Sequence, residues 1–392
     1  MLLRKFFGAK DDAVKLDEDL IQALSQSIDA NPNEISDYWK RACVYDYLQR
    51  YSQAIADYTR ILSLKPDFVN AYINRAADYA ETHDYHRAIA DGSAAIKLDK
   101  NAALAYHNRA YACFRSGKIQ EACRDMDKAI SLDPKQPFFY VARARIVLET
   151  RTGSPRQAVG DAQKALEIDP NNLDAYIVCA ELLMAVGELK PAIQYLTTGI
   201  SKHPEASRLY YFRGQAYSYL GDTQRALDDL NKAVDIDPKF PPVYHIRSRI
   251  YLMLNQHESA LADIKIYIGL APEDPQGYYQ HGQICMLMED YAGSLQYFDQ
   301  YLSLMPNDPD GYYNRANVYL ALNKISEALA DINKAIGLSP KDAPILFSRG
   351  RIFSKLGEKQ KAAADISKAI KMGLSQPMEQ AAKKLLAEIQ KV

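Results

Sequence analysis

The stretch YYNRANVYLALNKISEALADINKAIGLSP, from Tyr312 to Pro340, predicts two helices with a common apolar side. Residues three or four apart lie on one face of a helix. The two halves of the stretch place on such a face Tyr312, Arg315, Ala316 and Tyr319, and then Ala328, Ile332 and Ala335. Between them Asn323 predicts a tight turn, because asparagine tolerates the left-handed conformation that ends a helix. One hairpin cannot bury its apolar side alone, so the pattern predicts further copies beside it.

Prolines mark these copies at a nearly constant spacing of 34 residues. They are Pro32, Pro66, Pro134, Pro170, Pro204, Pro238, Pro272, Pro306 and Pro340. Lys100 stands at the one missing mark, and the spacing from Pro134 to Pro170 is 36, so two residues are inserted there. A fixed period of this length is typical of a solenoid built from stacked supersecondary units.

The copies share residue types at fixed positions, counted from the third residue after each closing proline. Position four is tyrosine in nine repeats, position eight is always alanine, glycine or serine, and position twenty is alanine in all but one. A helix–turn–helix unit with this pattern resembles the tetratricopeptide repeat (TPR), over ten consecutive repeats from about residue 35 to residue 374. The resemblance implies an all-α fold, a right-handed α-solenoid (superhelix) of tandem helix–turn–helix units.

The period also predicts how the chain is divided. Residues 1–15 are interpreted as a flexible N-terminal tail, residues 16–34 as a half-repeat helix over the open end, and residues 375–392 as a capping helix. The repeats between them span residues 35–68, 69–102, 103–136, 137–172, 173–206, 207–240, 241–274, 275–308, 309–342 and 343–374. The expanded turn from Glu149 to Pro155 is interpreted as a tolerated surface insertion, with a binding loop as the alternative.

Composition narrows the class of protein. The chain has 392 residues, is 48% hydrophobic and carries a formal net charge of -1, which predicts a soluble protein with enough apolar surface for a core. That near-neutral charge gives no reason to expect nucleic acid as a partner. No apolar run is long enough to span a bilayer, and the N-terminus lacks the apolar region of a secretory signal. Five scattered cysteines fit reduced thiols in a cytoplasmic protein.

Two positions of the repeat vary together. Position seven is arginine in eight repeats, and position twenty-three is aspartate in the same eight. The pairs are Arg41 and Asp57, Arg75 and Asp91, Arg109 and Asp125, Arg143 and Asp161, Arg213 and Asp229, Arg247 and Asp263, Arg315 and Asp331, and Arg349 and Asp365. The other two repeats have Cys179 with Tyr195 and His281 with Tyr297. This covariation predicts an ion pair that joins the two helices of each hairpin, since arginine can meet a carboxylate with two hydrogen bonds.

The sequence contains no pattern that indicates catalysis. A glycine-rich phosphate loop, a nucleophile elbow and a paired-cysteine zinc motif are all missing. His83 and His86 lie three residues apart at a turn, without a second cluster in the sequence to complete a metal site. We therefore expect no enzyme activity, no metal and no cofactor.

The TPR resemblance implies a binding surface on the first helices, which would line a concave groove for segments of partner proteins. It places positions two, five, six, nine and twelve in that groove. The candidate residues are Trp39, Asn74, His107, Asn108, Arg145, Tyr211, Gln215, His245, Arg249, Tyr279, Gln283, Tyr313, Asn314, Asn317, Phe347 and Arg351. Asparagine and glutamine can hydrogen-bond a peptide backbone, and aromatic rings give it apolar contact. The stretch from Tyr211 to Phe347 mixes both kinds most densely, so we expect the main site in the C-terminal half.

The resulting hypothesis is a non-catalytic adaptor for protein–protein interaction, which binds extended or helical segments of partner proteins. The TPR clamp for chaperone C-termini needs lysine at position five, which no repeat here has. The alternatives are a self-assembling structural scaffold and an accessory subunit of a larger enzyme or membrane-associated complex. Capped ends favour a monomer. The apolar residues of the N-terminal tail leave open self-association or a peripheral membrane contact through Leu2, Leu3, Phe6 and Phe7.

Overall fold

The computed structural model describes residues 11–390, and the side chains of residues 17–390. Residues 11–390 form 22 α-helices, most of which pair into hairpins, and within each of two units the helices pack on their neighbours in chain order. This all-α architecture of helix–turn–helix units confirms the predicted fold class. The chain divides into two compact units between Pro204 and Glu205.

Unit 1 begins with a single helix, α1, followed by five hairpins. Its helices are α1 (Asp11–Ala30), α2 (Ile35–Tyr47), α3 (Tyr51–Leu64), α4 (Val69–Glu81), α5 (Tyr85–Leu98), α6 (Ala103–Arg115), α7 (Ile119–Leu132), α8 (Pro137–Thr150), α9 (Pro155–Ile168), α10 (Leu173–Ala185) and α11 (Leu189–Lys202). Helix α1 begins at residue 11, whereas the sequence predicts its start at residue 16. Residues 1–10 of the predicted tail lie outside the described residues.

Unit 2 contains five hairpins and a last single helix. Its helices are α12 (Ser207–Tyr219), α13 (Thr223–Ile236), α14 (Pro241–Met253), α15 (His257–Leu270), α16 (Pro275–Leu287), α17 (Tyr291–Leu304), α18 (Pro309–Ala321), α19 (Ile325–Leu338), α20 (Ala343–Lys355), α21 (Lys359–Met372) and α22 (Gln376–Gln390). In the ten hairpins, which run from α2 to α21, the even-numbered helix comes first and the odd-numbered helix comes second.

The turn and the closing proline have separate structural roles. Asn323 adopts the left-handed conformation with φ 57°, as the sequence predicts for the turn between α18 and α19. The phenol of Tyr312 donates a hydrogen bond to the carbonyl oxygen of Pro306 at 3.1 Å. The phenols of Tyr38, Tyr140, Tyr176, Tyr244 and Tyr278 make the same bond to the proline six residues before them. Tyrosine at position four and the closing proline therefore form one linked feature of the repeat.

Small residues let the two helices of a hairpin approach closely. Ala316 at position eight and Ala328 at position twenty are 1% and 0% exposed. A Cβ atom added to Gly350 would lie 2.6 Å from Cγ1 of Ile366 on the facing helix. The helices thus pack with no room for a larger side chain at position eight.

We expect Ala316→Leu to lower the free energy of unfolding by about 1–3 kcal/mol, because extra methyl groups overpack the contact between α18 and α19. Urea unfolding followed by far-UV circular dichroism measures the change. The control is Ala321→Leu, which makes the same substitution at an exposed position of the same helix. Equal midpoints for the two variants would contradict the close-packing argument.

The predicted ion pairs are confirmed in all eight repeats. In each, Nε and Nη2 of the arginine donate to the two carboxylate oxygens of the aspartate at 2.6 to 2.9 Å. Asp331, for example, is 7% exposed. In one of the other two repeats the His281 ring stacks on Tyr297 with a centroid distance of 3.5 Å. In the other, the Tyr195 phenol accepts from Nε2 of Gln163 at 2.9 Å.

The remaining nitrogen of these arginine guanidinium groups, Nη1, bonds the helix that comes before the hairpin in the chain. This contact was not predicted from the sequence. Nη1 of Arg315 donates to Asp299 at 2.6 Å. The same donor of Arg41, Arg75, Arg109, Arg143, Arg247 and Arg349 bonds Ser25, Thr59, Ser93, Asp127, Asn231 and Asn333. At the corresponding place before Cys179 and His281 the sequence has Gln163 and Lys265. Comparing residues across consecutive repeats, sixteen apart, would have revealed this signal.

Candidate functional site

The first helices lie side by side within each unit. Helices α4, α6, α8 and α10 follow one another in unit 1, and α16, α18 and α20 do so in unit 2. We call the surface made by positions two, five, six, nine and twelve of all the first helices of a unit the first-helix face of that unit. Each unit has such a face, and the candidate residues divide on it into three groups with different surroundings.

The candidate residues at position five pack mainly on other rings. Trp39 contacts Tyr58 and Phe68 with ring centroids 5.6 and 5.3 Å apart. Tyr211, His245 and Tyr279 pack in the same way on Phe240, Tyr267 and Tyr301. Phe347 is only 7% exposed, while Tyr313 is half-buried. Most position-five rings therefore form the floor of the face and fill the core, instead of projecting toward a ligand.

The candidate residues at position six use their amides inside the protein. The amide of Asn74 donates to the Tyr58 phenol at 3.0 Å, and that of Asn108 donates to the carbonyl oxygen of Ile73 at 2.9 Å. Asn314 is 8% exposed and donates to the Tyr279 phenol at 2.9 Å. These amides tie a first helix to the preceding hairpin. Each of these amides already donates a hydrogen bond inside the protein, which leaves it fewer donors for a peptide backbone.

As a group, the side chains at position nine are less buried than those at positions five and six. From the third repeat onward it carries a polar or aromatic side chain, and none of these is buried. The residues are Tyr111, Arg145 and Glu181 in unit 1, and Gln215, Arg249, Gln283, Asn317 and Arg351 in unit 2. Tyr111 was not among the predicted site residues, although its position in the repeat is the same. Arg249 and Arg351 are exposed, so their guanidinium groups are accessible from solvent.

A cavity of about 160 Å³ lies in unit 1 between α6 and α8. Its lining includes two predicted site residues, His107 and Arg145. Nδ1 of His107 is buried without a hydrogen-bond partner. Burial lowers the pKa of His107 to about 4, so the imidazole is neutral at pH 7. The sequence favoured the C-terminal half, whereas this cavity lies in the N-terminal unit, because the space depends on which side chains fill the gap between two hairpins.

Metal sites and membrane-spanning helices are both missing from the part of the chain that the structure describes. Residues 17–390, whose side chains the structure describes, contain no group of three or more histidine, cysteine, aspartate or glutamate side chains placed to hold a metal ion. Within the same residues, no helix combines the length and hydrophobicity needed to cross a bilayer. The thiols of Cys43, Cys113, Cys123, Cys179 and Cys285 are free.

Several solved structures are similar to this chain. The crystal structure of the APC/C hetero-tetramer Cut9–Hcn1 is 12% identical, with a TM-score of 0.53, and the match covers 96% of this chain and 94% of that one. A tetratricopeptide repeat protein from Parabacteroides merdae is 24% identical over 65% of this chain and 98% of its own, with a TM-score of 0.48. Yeast Tom70 is 15% identical over 96% and 93%, with a TM-score of 0.46. At 12% identity, the Cut9–Hcn1 similarity shows the fold alone.

No curated protein sequence matches the chain. Four family models do match, and each is described as tetratricopeptide repeat. They match residues 149–216, residues 207–240 and 309–342, residues 103–136, and residues 38–68, 275–308 and 343–372. These segments together cover more than half of the chain. With its period, paired helices and small residues at the hairpin contacts, the chain belongs to the tetratricopeptide repeat family.

Proposed function

We propose that this protein is a non-catalytic adaptor that binds extended or helical segments of partner proteins on its first-helix faces. TPR proteins generally mediate protein–protein interactions and are typically non-catalytic, which supports this function. The observation that carries the proposal is the set of position-nine side chains from the third repeat onward, which are polar or aromatic, half-buried or exposed, and repeated on adjacent helices.

The chemistry of these side chains suits a polypeptide ligand. Amide and guanidinium groups donate to peptide carbonyl oxygens, and the amide oxygens of Gln215 and Gln283 accept from peptide N–H groups. Beneath them, rings such as Tyr279 are held by aromatic contacts and by the bond from Asn314. A face whose floor is already fixed loses little conformational entropy when a ligand binds.

Peptides selected from a random display library on the full chain test the proposal. We expect the triple variant Arg249→Ala, Gln283→Ala, Asn317→Ala to bind the selected peptides at least about tenfold more weakly, as loss of interface contacts worth about 1.4 kcal/mol would produce. The control replaces the exposed second-helix residues Lys232, Gln300 and Lys334 by alanine. Fluorescence anisotropy gives both affinities. Equal affinity for the two triple variants, or no selected peptide, would refute the proposed site.

The last helix favours an adaptor over a scaffold that stacks end to end. Ala382 of α22 is buried against the preceding hairpin, with Leu385 and Leu386 packed beside it. Lys383 and Lys384 are exposed. A polar outer surface on the final helix disfavours stacking of another copy there. The free thiols support a reducing, cytoplasmic location for this function.

A further inference from the structure

The cavity between α6 and α8 has a specific cause in the sequence. Helix α8 packs less closely on α7 than α6 packs on α5. Position six of α8 is Ala142, which lines the cavity. The corresponding amides of Asn108, Gln280 and Asn314 each bridge to the preceding hairpin. Alanine has no amide to make that bridge, so the space stays open.

Alanine at position 142, where other repeats have an amide side chain, also leaves the His107 imidazole without a hydrogen-bond partner. Tyr279 at position five receives a bond from Asn314 at position six of the next repeat, 2.9 Å away. His107 and Ala142 occupy the same two positions. Nδ1 of His107 consequently has no partner, although it is buried. Buried polar atoms without partners are uncommon in folded proteins, and this one marks the place where the bridge from position six is missing.

The lining favours an aromatic occupant over an aliphatic one. Met126 contributes a thioether, which makes favourable contacts with aromatic rings. Phe114 and Tyr111 add two aromatic rings to the lining, and a bound ring can pack against them. An apolar cavity of about 150 Å³ is large enough to bind benzene, so the space here suits a single six-membered ring.

Three charged groups lie among the residues that line the cavity. Arg115 and Arg145 are donors, and Glu149 is an exposed acceptor. A peptide that passes over the cavity has carbonyl oxygens for the arginines and N–H groups for the carboxylate. We propose that the cavity is an anchor pocket for one aromatic side chain of an extended partner segment, whose backbone these three residues hold. The inference rests on the proposed adaptor function and names the kind of residue that it recognises.

Toluene, which has the shape of a phenylalanine side chain, is the first probe. The full chain is labelled with ¹³C at its methionine methyl groups, and toluene is titrated while the methyl spectrum is recorded. We expect a saturable shift of the Met126 signal, because that side chain lines the cavity. Met253, which is 64% exposed on α14, is expected to stay unchanged. A Met126 signal that does not move, or that moves only as much as Met253, would overturn the proposal.

A variant that fills the cavity tests whether toluene binds there. Ala142→Leu is expected to abolish the Met126 shift, and Ala321→Leu, an exposed position in unit 2, is expected to preserve it. Ala142→Asn gives a second blocking variant that places the bridging amide beside His107. Circular dichroism confirms that each variant is folded. Unchanged toluene binding in both folded Ala142 variants would place toluene elsewhere and refute the pocket.

Peptide binding separates this inference from the proposed function. Among peptides selected on the wild-type chain, we expect those that lose at least about tenfold in affinity for Ala142→Leu to share one aromatic residue. Replacing that residue by alanine should weaken wild-type binding by a similar factor. Peptides that bind the position-nine face but tolerate Ala142→Leu would support the adaptor function and overturn the pocket. A chain that binds toluene but selects no peptide would refute the adaptor function and, with it, the role of the cavity as a peptide anchor.

Discussion

Arg315→Ala is expected to lower the free energy of unfolding by about 3 kcal/mol, the typical effect of removing one partner of a buried ion pair. The guanidinium group of Arg315 donates to both oxygens of Asp331 at 2.7 and 2.8 Å, and to Asp299 of the preceding second helix at 2.6 Å. Alanine would leave the carboxylate of Asp331, which is 7% exposed, without its cation. The same change would also remove a link between two consecutive hairpins.

Urea unfolding followed by circular dichroism measures the loss, and amide hydrogen exchange locates it. Exchange is needed because repeat proteins can unfold one segment at a time. We expect faster exchange in α18 and α19, with Arg351→Ala, an exposed arginine on the following first helix, as the control. Asp331→Ala and the double variant complete a mutant cycle, in which the two losses should not add. If Arg315→Ala unfolds like the wild type while Asp331→Ala does not, the pairing does not stabilise the fold.

Asp78→Asn is expected to act in the opposite direction and raise stability at pH 7. Asp78 is 4% exposed, and burial followed by the charges of Asp46 and Glu81 raises its pKa to about 9. Burial also raises the pKa of Asp46, whose Oδ2 accepts from the Tyr58 phenol at 2.6 Å. Cys43 of α2 lies near the same phenol at 3.9 Å. Asparagine at position 78 stays neutral at every pH and can donate to the Asp46 carboxylate permanently.

The sign of the pH dependence follows from the two protonation states. Between the unfolded pKa of about 3.9 and the folded pKa, folded Asp78 keeps a proton that the unfolded chain has released. Stability therefore falls as pH rises through this window, by at most about 1.4 kcal/mol per unit, and the Asp78 contribution levels off above it. Removing that loss should raise the free energy of unfolding at pH 7 by about 2–4 kcal/mol.

Urea unfolding at pH values from 4 to about 9 tests the effect of Asp78. The wild-type chain should lose stability with rising pH more steeply than Asp78→Asn. Asp67→Asn removes a carboxyl group at an exposed position of the same unit, so it should keep the wild-type slope. Parallel curves for the wild type and Asp78→Asn would show that Asp78 does not hold a proton in the folded state.

The sequence by itself determined the repeat and the contacts within a hairpin. The spacing from Pro306 to Pro340 and the pattern around Tyr312 depend on helical geometry, which repeats identically in every copy. The pairing of Arg315 with Asp331 could be predicted because both partners change together in two of the ten repeats. Ten copies in one chain thus provide the comparison that a single globular sequence lacks.

Only the tertiary structure decided which residues of the first-helix face are available to a ligand. Asn314 and Asn317 lie three apart on one helix and have the same side chain, yet the first is buried against Tyr279 and the second is half-buried. The Asn317 amide donates to the Tyr313 carbonyl oxygen of its own helix at 3.0 Å. The cavity beside His107 likewise depends on Ala142, a residue that looks unremarkable in its own repeat. Whether a side chain of the first-helix face is exposed depends on how closely consecutive hairpins pack and on which neighbouring side chain fills the space between them. Both depend on two repeats together, so they cannot be read from the pattern of one repeat.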